Sequence, residues 1–103
     1  MITVEIVHSL SDRVRIALDR GVCLYVPPAY LDVLVVALER ATRRLETQRV
    51  AWCEHGHWER LALYKLGGQV VILSSAVGVT LSVDDALATA QAIRNHLAAQ
   101  LSA

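Results

Sequence analysis

An α+β fold, a mainly antiparallel sheet with two helices packed on one face, is predicted by three features of the 103-residue chain. Short runs of alternating apolar residues are separated by Gly, Pro and His-Gly turns. Two longer segments carry apolar residues at helical spacing. Each of these follows directly on a strand-like run, so the order reads βββα and then ββββα. A chain of this length makes a single domain, residues 1–103.

The first hairpin is built from ITVEIVH and RVRIALD. Alternation puts Ile2, Val4 and Ile6 on one face, and Val14, Ile16 and Leu18 on the matching face of the next strand. A register with Ile6 opposite Val14 also sets Glu5 opposite Arg15, a favourable cross-strand charge pair, and leaves His8 to Asp12 as the loop. Asp19-Arg20-Gly21 fits a three-residue loop with glycine in the left-handed position. It delivers the third strand, VCLYV, with Val22, Leu24 and Val26 facing the core. Pro27-Pro28 ends that strand and opens a helix, in which Leu31, Leu34, Val35, Leu38, Thr42 and Leu45 form the buried stripe.

The second half repeats this grammar. RVAWCE and WERLALYKL flank a His55-Gly56 turn, Gly67-Gly68 makes a second tight turn, and QVVILSS follows. After Ala76-Val77 comes GVTLSV, then a helix from about Asp84 to Leu101. Ser82 and Asp85 stand at N-cap and third-residue spacing. Ala86, Ala90, Ile93, Leu97 and Leu101 form its stripe.

GVCLYVPPA, starting at Gly21, and GVTLSVDDA, starting at Gly78, share Gly, Val, Leu, Val and Ala at matching positions. Both run from a strand into a helix. Internal duplication accounts for the match, and so does the common physics of strand-to-helix joints. The strand-rich repeat ending in this pattern resembles PUR-type repeats and the related Whirly-like folds, which implies single-strand binding. Ala29 to Leu101, taken as helix, three strands and helix, resembles a Roadblock-type module lacking its first helix, which implies dimerisation.

Composition narrows the function. Hydrophobic residues make up 54% of the chain and charged residues 19%, a large apolar share for a small domain to bury alone. Ten basic and ten acidic side chains cancel, so no long-range field draws the protein to phosphate backbones or anionic lipid. Nine of the ten cations are Arg, which favours bidentate or stacked contacts. The amino terminus has neither a basic leader nor a small-residue cleavage site. The longest wholly apolar run, Val33 to Leu38, is far too short to span a bilayer. Two cysteines do not make a disulfide framework. These features predict a soluble cytoplasmic protein with reduced thiols and no membrane association.

WCEHGHW, residues 52–58, places Cys53, His55 and His57 at alternate positions, which is metal-ligand chemistry. A turn at His55-Gly56 separates them. Glu54 then faces His57, Cys53 faces Trp58, and the thiol and His57 point to opposite faces. The favoured reading is a solvated hairpin tip without a metal or cofactor. A metal- or thiol-dependent protein using Cys53, His55 and His57 is the remote alternative.

The remaining candidates for catalysis have structural explanations. No serine lies in a nucleophile-elbow pattern. Asp84-Asp85 suits a helix N-terminus. Gly67-Gly68 lacks the lysine of a phosphate loop. Cys23 alternates with core residues. The cluster Arg40, Arg43 and Arg44 is balanced by Glu39 and Glu46. The sequence leans against an enzyme and predicts no catalytic residue.

The second-half register puts Val50, Trp52, Leu61, Leu63 and Ile72 on the helix-covered face. Cys53, Trp58, Ala51, Ala62, Tyr64, Val71 and Leu73 share the other face, and no helix remains to cover it. An uncovered apolar sheet face predicts a partner. The expected function is a non-catalytic homodimeric protein-interaction module that pairs through Cys53, Trp58, Ala62, Tyr64, Val71 and Leu73. The alternative is single-stranded nucleic-acid binding through an Arg/aromatic face made of Arg13, Arg15, Tyr25, Trp58, Arg60 and Tyr64.

Overall fold

Two tight turns fix most of the architecture. In the computed structural model, which describes residues 4–8, 14–18, 22–75 and 78–101, His55 and Gly56 both take positive φ, 50° and 79°. That is the requirement of a type I′ turn, whose twist matches the strands it joins. It connects β4 (Gln48–Glu54) to β5 (His57–Leu66) in an unbroken register from Gln48 opposite Leu63 to Glu54 opposite His57. Gly67, at φ 63°, opens the second two-residue turn. It leads into β6 (Gln69–Leu73), which pairs with β5 from Leu66 opposite Gln69. Next, β7 (Gly78–Ser82) pairs with β6, giving a four-stranded meander in the order β4-β5-β6-β7.

The first half forms its own sheet, β1 (Glu5–His8), β2 (Val14–Ala17) and β3 (Cys23–Val26), in the order β1-β2-β3. The antiparallel α+β class is as predicted, but there are two sheets where one was expected. The break lies at Pro27-Pro28. Pro27 is extended at φ −60° and ψ 141°, and a 3-10 turn over Pro28–Tyr30 carries the chain into α1 (Leu31–Arg43). The chain leaves β3 through this turn and a thirteen-residue helix, and next pairs in a different sheet. The predicted loop at Asp19-Arg20-Gly21 lies outside the described residues, as does most of the one predicted at His8 to Asp12. The flanking bond from Leu18 N–H to Val22 O, 2.7 Å, is that of a closely approaching hairpin.

The β1–β2 register differs from the expected one by two residues. Ile6 lies opposite Ile16, Glu5 opposite Ala17, and Arg15 opposite Val7 and Tyr25. The Glu5–Arg15 cross-strand pair therefore does not form. A two-residue slide leaves every side chain on its original face, so apolar alternation cannot distinguish the two registers. The observed one makes an apolar row, Ile6–Ile16–Leu24, across all three strands.

One core unites the halves. Val14, Ile16, Leu24 and Val26 of the first sheet are buried in the same cluster as Val50, Trp52, Leu61, Leu63, Val70, Ile72 and Leu81 of the second. Between them come Leu31, Leu34, Val35, Leu38 and Ala41 of α1, with Ala86, Ala90 and Ile93 of α2 (Val83–Leu101). The α1 helix packs on β4, β5 and β6; α2 packs on α1, β6, β7 and β1. Helix ends depart from the predicted stripes. Arg44 turns extended at φ −118° and ψ 151°, which throws Leu45 out of the stripe to 93% exposure, and Leu101 at the end of α2 is 90% exposed.

Local hydrogen bonds satisfy the two buried threonines. Buried Thr42 and Thr89 donate to the helix carbonyls of Glu39 (2.7 Å) and Asp85 (2.8 Å), so neither hydroxyl is stranded. At the start of α2 the Asp85 N–H donates to Ser82 Oγ at 3.1 Å, the N-cap read from the sequence. Between the helices, Arg94 donates from Nε to Glu39 Oε2 at 3.3 Å and from a second nitrogen to Oε1. The Arg94 guanidinium bonded to Glu39 holds that carboxyl below its ordinary value of 4.5.

Three outcomes follow. Gly56→Val forces a β-branched residue into the left-handed region and should cost about 1–3 kcal/mol. His55→Asn supplies the preferred first residue of a type I′ turn and should raise the melting temperature slightly; thermal unfolding followed by circular dichroism reads both. Glu39 has a lowered folded-state pKa, so its contribution is present above the unfolded value and lost as pH falls through the folded one. Arg94→Ala should therefore flatten the loss of stability below about pH 4.5, measured by urea unfolding across pH, while leaving the neutral-to-alkaline slope unchanged.

Candidate interaction face

Strand pleating sorts the second sheet into two faces. The side chains of Val50, Trp52, Leu61, Leu63, Val70, Ile72 and Leu81 turn inward and are buried. The residues between them turn outward. They are Arg49, Ala51 and Cys53 on β4; Trp58, Arg60, Ala62, Tyr64 and Leu66 on β5; Gln69, Val71 and Leu73 on β6; and Thr80 and Ser82 on β7. The predicted set of Cys53, Trp58, Ala62, Tyr64, Val71 and Leu73 thus shares one face. Cross-strand pairing puts Cys53 beside Trp58, Ala62 beside Leu73, and Tyr64 beside Val71.

This face stays open to solvent. Trp58 is 62% and Leu73 42% exposed, while Ala62, Tyr64 and Val71 are partly covered by their neighbours. A shallow hollow of about 490 Å³ lies across it, lined by Arg49, Ala51, Arg60, Ala62, Leu73 and Ser74 with the backbone of the inward residues between them. Two alanines opposite long side chains produce the depression. Ala51 faces Arg60, and Ala62 faces both Arg49 and Leu73. Arg49 joins the face although it was not among the predicted residues. Its parity with Ala51 and Cys53 is the signal that places it there.

The predicted Arg/aromatic set is divided. Arg15 and Tyr25 form a cross-strand pair on the outer side of the first sheet, with Tyr25 49% exposed. Trp58, Arg60 and Tyr64 alternate along β5 on the second sheet. Arg13 lies outside the described residues.

The hairpin tip behaves as the turn geometry requires. Cys53 is exposed on the outer face, His55 is in the turn, and His57 pairs with Glu54 and belongs to the opposite face from Cys53. Among the described residues, no group of three or more His, Cys, Asp or Glu side chains is placed to hold a metal ion. Cys23 is partly buried on β3 and Cys53 exposed on β4, and no disulfide joins them. No described helix is long and apolar enough to cross a membrane.

Four strands, not three, separate the two helices, which departs from the Roadblock-type resemblance. No protein-family model, curated protein or solved structure matches the chain.

Proposed function

We propose that the protein is a non-catalytic self-association module whose copies pair through the outer face of the β4–β7 sheet. The observation that carries this reading is the open apolar surface of Ala51, Cys53, Trp58, Ala62, Tyr64, Val71 and Leu73, on a sheet whose other face is covered by helices. Its composition is that of an interface. Aromatic and aliphatic residues run across it with Arg60 among them, while Arg49, Gln69, Thr80 and Ser82 stand towards the margins. A two-fold arrangement would place the protruding Trp58 of one copy in the alanine-floored hollow of the next.

A second reading rests on one local feature. Trp58, Arg60 and Tyr64 alternate on one strand with Arg49 on the same face, which is a short stacking platform for single-stranded nucleic acid. Its weakness is the balance of ten acidic against ten basic residues, which supplies no long-range attraction.

Light scattering on a sizing column separates the readings. Under the first, Leu73→Asp replaces an exposed apolar side chain of the face with a charge and should weaken association at least about a hundredfold, roughly 3 kcal/mol, without altering far-UV circular dichroism. An unchanged particle mass for that variant counts against the face. Under the second, a fluorescent single-stranded oligonucleotide should bind with an affinity that falls steeply with salt, and Arg60→Ala should shallow the slope by about one unit.

A further inference from the structure

The described strands leave four sheet edges, and three of them are poor templates for pairing. β1 and β3 are four residues long, and β3 runs into Pro27-Pro28; β7 is five residues long and passes directly into α2. β4 differs. It is seven residues long, contains no proline or lysine, and pairs with β5 without a bulge. Proline, lysine, bulges and shortness are the usual means of blunting an edge.

The hairpin turn defines which backbone groups β4 offers. Glu54 and His57 close a two-residue turn and form a hydrogen-bonded pair, so Glu54, Trp52, Val50 and Gln48 direct their backbone groups towards β5. Cys53, Ala51 and Arg49 direct theirs away, to the free edge. Three N–H and three C=O groups are therefore aligned outward around a centre at Ala51.

The helix above is matched to this edge. α1 lies over β4 and β5, whereas α2 lies over β6 and β7. A second β4 strand about 4.8 Å away would bring a second α1 to roughly 10 Å from the first, the ordinary spacing of packed helices. Along the strand, three residues from Gln48 to Ala51 rise about 10 Å, as do seven helical residues from Arg43 back to Val36. With Arg43 and Gln48 taken as level at the two ends of the connection, Val36 comes roughly abreast of Ala51. Val33 and Val36 are 46% and 39% exposed and line the depression between α1 and the start of β4 with Asp32, Ala37, Arg40, Gln48 and Arg49. Asp32, Val36 and Arg40 are four residues apart, on one side of the helix. An antiparallel copy centred at Val36 places each Asp32 against the other chain's Arg40.

We infer that β4 pairs antiparallel with β4 of a second copy across a two-fold axis at Ala51, joining two four-stranded sheets into one of eight. Arg49 then bonds to the partner's Cys53 and Ala51 to the partner's Ala51, so all six outward groups are satisfied. No like charges lie directly opposite, since Gln48 faces the partner's Glu54. The seam above is closed by Val33 and Val36, flanked by two Asp32–Arg40 pairs. This surface is distinct from the outer sheet face, and its two-fold is perpendicular to the sheet. Combined with face-to-face pairing, it closes a tetramer of 11.3 kDa chains.

The test uses the full chain carrying Leu73→Asp, which removes the contribution of the sheet face. Light scattering at tens of micromolar should give a dimer. Adding Ala51→Pro removes an outward N–H at an exposed edge position, where proline is compatible with the strand, and should give a monomer with unchanged circular dichroism. Asp32→Arg should raise the dissociation constant at least tenfold, and Asp32→Arg with Arg40→Asp should restore it. In the dimer, the Ala51 and Cys53 amides should exchange with solvent at least a hundredfold more slowly than in the Ala51→Pro monomer (Cys53) or at high dilution (both). A monomer before Ala51→Pro is introduced overturns the inference, as does a dimer indifferent to Ala51→Pro. So does an edge that binds an added extended peptide while the chain itself stays monomeric. Failure of the sheet-face reading looks different, because Leu73→Asp alone would then leave the wild-type mass unchanged.

Discussion

The type I′ turn at His55-Gly56 is the constraint on which the second sheet depends. A two-residue turn allows one register, and one register assigns every side chain of β4 and β5 to a face. From that follow the burial of Val50, Trp52, Leu61 and Leu63, the exposure of Cys53 and Trp58, and the direction in which β4 presents its backbone. The same turn separates the cysteine from His57. The chemistry that seven residues suggest as a string is undone by two dihedral angles.

What could be read from the sequence divides along the same line. Where a short loop with a distinctive residue closed a hairpin, pairing was legible to the residue, as for Glu54 with His57 and Leu66 with Gln69. Where the loop was five residues long and carried no such signal, the register between β1 and β2 was not legible. Apolar alternation repeats every two residues and is blind to a two-residue slide. A plausible charge pair between Glu5 and Arg15 lost to the apolar row Ile6–Ile16–Leu24.

The candidate face was legible because it needs only parity and a count of helices. Its relief was not. The hollow at Ala51 and Ala62 depends on which side chains are neighbours across three strands, and the division of the Arg/aromatic residues between two sheets depends on how Pro27-Pro28 redirects the chain. The helix stripes carried a similar limit. Periodicity included Leu45 and Leu101, but periodicity does not know where the core ends.

The order of synthesis gives α2 a particular importance. Every strand pairs with its neighbour in the chain, so both sheets can form from local contacts with little loop-closure entropy. Contacts between the halves are made first by α1, on β4, β5 and β6, and then by α2. α2 packs on β1 as well as on β6 and β7, and the Glu39–Arg94 link spans 55 residues. On the ribosome, the apolar face of Val14, Ile16, Leu24 and Val26 is therefore translated long before residues 83–101 complete the core. Residues 83–101 leave the ribosome after every described strand, so the packing of α2 on β1, β6 and β7 can form only once both sheets have been made.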